Sequence, residues 1–246
     1  MFGERRIISK KGQEYLYFGV FPQSLKEKNV TIKGIDPNKS NIYIGSDDEK
    51  YILYKTDDEI TENIYINNEL VEANKEYFFK IEPIKWNVIE KDSDSAICIS
   101  EMILSCHRHG DRSDEYFESE IRDYILNDIY EFAFTDDEKK YILPYYYSEN
   151  KLDNLSMPSY EELDKCNLDN KKNNNIISNY TREKKMTDYA KVIAANSISL
   201  IDSYWCISDI ESKDCTINVT NEGLFDSINV GCKCGIVLKI WVKLGY

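Results

Sequence analysis

Helical patterning in this chain is confined to its middle, between two flanks that alternate like strands. That order restricts the architecture more than any other feature. It is clearest at residues 119–142, SEIRDYILNDIYEFAFTDDEKKYI. Ile121, Tyr124, Ile125 and Ile129 recur at helical spacing and form one apolar stripe, while Glu120, Asp123 and Asp128 stay on the wet side. Ser119 precedes the stripe as an N-cap, its hydroxyl available to a free amide of the first turn. Asn127 marks the place where a first helix closes, and Phe132 and Phe134 anchor the connection that follows. Thr135-Asp136-Asp137-Glu138 reads as a capping box that starts a second short helix.

The front flank alternates. Residues 15–24, YLYFGVFPQS, make an opening strand that ends at Pro22, with Gly19 allowing a bulge or a close backbone approach. Residues 42–44 and 51–54 flank the turn cluster Gly45-Ser46-Asp47-Asp48, and 64–66 and 69–71 flank Asn67-Asn68, so each pair predicts a hairpin. Two strands follow at 77–81 and 84–89, separated by Glu82-Pro83. In the second, Ile84, Trp86 and Val88 share one face. A polar turn at 91–94 leads to a returning strand at 96–99.

Beyond the central helix, Pro158 and Ser159 open a short helical turn, and Thr187 caps an apolar helix to Ala195. Residues 167–175, NLDNKKNNN, are low-complexity and polar, an exposed loop. From 204 to 244 the chain is strand-like again, with turns at Gly223 and Gly231. Strands, then helices, then strands imply an α+β fold with segregated helices and mainly antiparallel strands, not a doubly wound parallel sheet. The expected arrangement is a single domain over 1–246, β-rich to about residue 100, helical over about 113–198, and closed by strands over about 203–246.

The net charge of −13 is spread along the chain, which repels phosphate backbones and argues against a nucleic-acid partner. No apolar run reaches the ~20 residues of a membrane helix, and the N-terminus lacks an apolar leader core, so membrane insertion is not expected and a cytoplasmic location is. Seven cysteines without regular spacing read as reduced thiols.

Residue clusters that could carry chemistry are few. Cys106-His107-Arg108-His109 falls in a polar stretch, 105–115, that holds both histidines and reads as a surface loop. One short loop cannot easily converge four metal ligands. Cys232 and Cys234 would share one side of an extended strand and could hold a soft metal such as copper, although C-x-C departs from zinc-knuckle spacing. The carboxylate pair Asp136-Asp137 is explained by the first turn of a helix. No phosphate-cradling glycine loop or nucleophile elbow is present. Tyr204 and Trp205, with Asp209 and Asp214 in the loop beyond, are the candidate ligand-binding residues, because aromatics at a strand end can stack on a sugar or peptide. Packing of the same aromatics in the core is the plainer alternative.

Several short motifs recur in a fixed order: YFGVFPQS at 17–24, GSDDEKY at 45–51, YFFKIEPIKWNVI at 77–89, SEIRDYILN at 119–127, AFTDDEKKYI at 133–142, LSMPSYEEL at 155–163 and TDYAK at 187–191. Together they resemble an uncharacterised bacterial domain family, common in Firmicutes, that is itself similar to the C-type-lectin-like fold of formylglycine-generating enzymes. The positions carrying the pattern are Gly19, Pro22, Gln23, Trp86, Ile121, Arg122, Asn127, Phe134, Gly223 and Gly235. The resemblance implies a compact, irregular α+β domain that displays a variable surface, needs no cofactor and has no established catalytic residue. Its implied partner is a protein, peptide or glycan. The chain departs from the pattern at Tyr204-Trp205-Cys206-Ile207-Ser208 and at Gly235-Ile236-Val237-Leu238-Lys239, where two family arginines are missing. An alternative the resemblance also implies is an oxidase holding copper through Cys232 and Cys234; a purely structural module is the third reading.

Overall fold

The computed structural model describes residues 7–10, 12–60, 63–110, 115–148, 151–164, 182–195 and 205–245. Among the described residues strands far outweigh helices, and all but one of the pairings between strands are antiparallel, giving the α+β class that the strand–helix–strand order implies. No helix among the described residues is long and apolar enough to cross a membrane.

One strand, Glu76–Lys91, organises the nine-stranded main sheet. One of its edges pairs with Gln13–Leu25; the other pairs with Lys50–Lys55 as far as Lys80 and with Ser95–Ser100 from Trp86 onward. The strand therefore runs straight through Glu82-Pro83, where two separate strands were expected. Gln23 explains part of that continuity: its side-chain amide donates to the carbonyls of Glu82 (3.1 Å) and Pro83 (3.0 Å). The opening strand likewise continues past Pro22 to Leu25. Pro22 is tolerated because this strand lies at a sheet edge, where a missing amide breaks no ladder bond.

The expected hairpins form. Ile42 faces Ile52 across the turn after Gly45, and Tyr65 faces Leu70 across Asn67-Asn68, whose φ angles of 51° and 66° suit asparagine. Ile84, Trp86 and Val88 turn inward together, and the Trp86 indole donates to the Phe18 carbonyl at 2.7 Å. Each such fully buried side chain contributes about 2 kcal/mol.

The central helix starts at Ser119, whose Oγ accepts the Arg122 amide. It does not close at Asn127. The helix passes from Glu120–Tyr124 through a wide π-type turn, Ile125–Ile129, into Tyr130–Ala133, and Asn127 is exposed within that turn. The wider turn keeps Ile121, Ile125 and Ile129 all fully buried against the sheet. Thr135 forms the complete capping box with Glu138, and Thr187 caps Asp188–Ala194. The low-complexity stretch 167–175 lies outside the described residues.

A second, five-stranded sheet is built from Ser105–Arg108, Lys233–Ile236, Trp205–Ser212, Cys215–Val219 and Phe225–Asn229, in that spatial order. The Cys106-His107-Arg108 stretch is thus a strand rather than a surface loop, and His109, just beyond it, is fully buried. Pairing with Lys233–Ile236 satisfies the backbone that a loop would have left to solvent. One core cluster unites Leu16, Trp86, Ile121, Phe134, Cys206, Ile236 and Ile240, drawn from the front strands, the helix and the closing strands. The opposite face of the small sheet packs Cys106, Trp205 and Val237 on the helix Asp188–Ala194. Tyr189 of that helix meets Phe21, Tyr54 and Phe79 edge-on, tying it to the main sheet.

Candidate functional site

The sequence places its candidate binding residues around Tyr204, Trp205, Asp209 and Asp214. Tyr204 lies outside the described residues. Trp205 is fully buried, with its indole donating to the Arg182 carbonyl at 3.0 Å. Gly235 is its register partner on one neighbouring strand, and Cys106 faces Gly235 from the other side. The Trp205 ring supports this end of the small sheet from within and offers no stacking face to solvent.

Asp209 is half-buried on Trp205–Ser212 and accepts the Tyr160 amide at 2.6 Å. Burial pushes its carboxyl above the usual range; the Tyr160 amide opposes that shift, and Glu162 and Glu161 reinforce it. Asp214 is exposed in the turn to Cys215–Val219, and its carbonyl accepts the Val230 amide at 3.0 Å. Asp209 and Asp214 therefore sit at different places on the same hairpin, the first holding a neighbouring helix and the second closing a turn.

That helix brings in a residue the sequence did not single out. Residues 160–164 are helical, begun by Ser159, which accepts the Glu162 amide while Glu162 reaches back to the Ser159 amide. Three further contacts fix its position. The Ser208 amide donates to the Pro158 carbonyl at 3.0 Å, and Lys239 donates to both Glu162 oxygens, at 2.8 and 3.0 Å. The Lys239 ammonium also lies 3.7 Å from the Tyr145 ring centroid. Burial lowers the Lys239 pKa, with Glu162 opposing, and burial pushes the Tyr145 phenol up to about 12.

The exposed product of this clamp is an aromatic pair. Tyr160, 43% exposed, and Phe225 meet with ring centroids 4.5 Å apart and planes at 45°. Leu224, 58% exposed, adjoins Phe225 in the chain, and the Arg182 guanidinium lies 5.0 Å over the Phe225 ring. Gly223 (φ 76°) makes the tight turn that delivers Leu224 and Phe225 there. Local pattern could not have paired Tyr160 with Phe225, because they come together only when the small sheet and the 160–164 helix dock.

Three of the motif positions do structural work elsewhere. Arg122 holds Asp153 through Nε (3.1 Å to each oxygen) and Nη2 (2.6 Å), Phe134 packs on Phe18, and Ile121 is buried. The thiols are arranged differently from the C-x-C expectation. Cys232 precedes the strand and is half-buried, whereas Cys234 is fully buried and its thiol interacts with Cys206 on the next strand. Among the described residues, no three His, Cys, Asp or Glu side chains group so as to hold a metal ion. Comparison of the chain with family models, curated proteins and solved structures returns no match.

Proposed function

We propose that this chain is a non-catalytic ligand- or protein-binding module, a single domain on a C-type-lectin-like scaffold, and that it binds through the Tyr160–Phe225 end of its small sheet. One observation carries the reading: exposed Tyr160, on a helix fixed to two strands by Asp209 and Lys239, meets half-buried Phe225 of the end strand, with Leu224 and Arg182 beside them. Aromatics held rigid before contact lose little conformational freedom on binding, which is what makes them effective anchors. The ordered motifs of the sequence support the choice of scaffold.

Peptide and glycan arrays probed with the wild-type chain and with Tyr160→Ala/Leu224→Ala test the proposal. A class of array ligand lost by about tenfold or more in the variant is the expected result. Identical signals from both proteins, or silent arrays, would remove this face as a binding surface.

A further inference from the structure

The strand Phe225–Asn229 ends the small sheet: among the described residues it pairs with Cys215–Val219 on one side and with no strand on the other. Its hydrogen-bond phase can be read from its ends. The Thr220 amide donates to the Leu224 carbonyl, and the Val230 amide donates to the Asp214 carbonyl. In an antiparallel ladder inward and outward groups alternate, so positions 224, 226, 228 and 230 turn to the neighbouring strand and Phe225, Ser227 and Asn229 turn outward. The Ser227 amide agrees, since it donates to the Asp226 carboxylate at 2.8 Å rather than to the ladder. Asp226, Ser227 and Asn229 are exposed.

Past Phe225, acids outnumber bases along this edge. Arg182 lies over Phe225 at its start. Beyond that point come Asp226 on the strand itself, Glu211, which accepts the Ser227 hydroxyl, and exposed Asp214 near the far end. Residues 205–229 contain five acids and one lysine. At the other end, Tyr160 and Leu224 supply an exposed apolar anchor.

We propose that this edge accepts an extended, lysine- or arginine-bearing peptide segment as an added strand, a proposal that rests on the binding face assigned above and names its partner class. Main-chain pairing with Phe225, Ser227 and the Asn229 amide, whose own carbonyl already accepts the Cys232 amide, gives the segment its direction, and its cations meet Asp226 and Glu211. Asp226 acts as a guard. While its carboxylate holds the Ser227 amide, the edge is blunted against pairing with another copy of this acidic chain; a cationic side chain draws the carboxylate away and frees the amide.

The probe is a fluorescein-labelled peptide of alternating lysine and valine, titrated by anisotropy. Its controls are a glutamate-for-lysine analogue and a version N-methylated at alternate residues, which keeps the charge but loses main-chain donors. The lysine peptide is expected to bind and the glutamate analogue not to. N-methylation and Asp226→Lys should each weaken binding about tenfold or more. Hydrogen exchange should slow at Phe225, Ser227 and Asn229 and stay unchanged at Asp226 and Ile228. Thermal melting of Asp226→Lys checks that this exposed substitution leaves the fold intact. Equal binding of the N-methylated peptide, no binding of the lysine peptide, or unchanged exchange at the three outward amides overturns strand addition. Array ligands that still depend on Tyr160 would then leave the aromatic face standing alone; their absence as well would remove both.

Discussion

Gly19 lies directly beneath the ring of Phe134: a Cβ at position 19 would come within 2.4 Å of Phe134 Cε1 and 3.0 Å of the Ala133 carbonyl oxygen. Its φ of 66° is also one that L side chains resist. Gly12 has a similar φ, 78°, but open space around it. Gly19→Ala should therefore destabilise by about 2–4 kcal/mol, since both clash and backbone strain are imposed, while Gly12→Ala should cost about 1 kcal/mol from strain alone. Urea denaturation of the two variants separates the terms, and equal losses would show that the Phe134 contact has no consequence.

The Arg122–Asp153 pair supplies a second test. Asp153 has a fully buried side chain, and both its oxygens are taken by one guanidinium. Removing one partner strands a buried charge, so Arg122→Ala should cost about 3–5 kcal/mol. The double change Arg122→Met/Asp153→Leu should cost less than the sum of its single changes, because it removes both charges together. Additive losses in a double-mutant cycle would contradict that account.

His109 predicts an acid-side weakness. It is fully buried, neither ring nitrogen has a hydrogen-bond partner among the described residues, and burial pulls its pKa from 6.5 to about 4. Between those values the unfolded chain binds the proton and the folded chain does not. Stability from this residue is thus complete above pH 6.5 and declines as pH falls towards 4, by up to about 2–3 kcal/mol. His109→Phe should flatten that part of the stability–pH curve; an unchanged slope would refute the assignment.

Lys184 gives the corresponding effect at higher pH. It is 3% exposed, donates to the Ser100 carbonyl at 2.9 Å, and burial draws its pKa from 10.5 to about 7. Across that interval the unfolded chain holds more protons, so stability from this residue rises with pH from about 7 upward. Lys184→Met should remove about 2–3 kcal/mol of that rise between near-neutral and mildly alkaline pH. Chemical denaturation at several pH values checks it, and a rise identical to that of the wild type would be inconsistent with a buried, neutral amine.

Local chemistry was legible in the sequence and long-range geometry was not. The caps at Ser119, Thr135 and Thr187 and the turn at Asn67-Asn68 depend on a few neighbouring residues, and all are present. The run through Glu82-Pro83 is not legible locally because the partner that bridges it, Gln23, lies far back in the chain. The Cys106–His109 stretch looked like a loop because its polarity suggested solvent. Its strand partner, Lys233–Ile236, comes from the other end of the sequence. For the same reason local pattern leaves Trp205 open between a binding surface and the core, and cannot bring Tyr160 to Phe225.

The strand Lys239–Lys243 lies between Ile142–Leu143 and Ser95–Ser100, inside the main sheet rather than at its rim. A ribosome must therefore deliver nearly the whole of this sequence before the gap beside Ser95–Ser100 can be filled. Until then the nascent chain carries an open, apolar edge. Contacts this distant close slowly, so chaperone demand during synthesis should fall on the interval between emergence of residue 100 and arrival of residue 243.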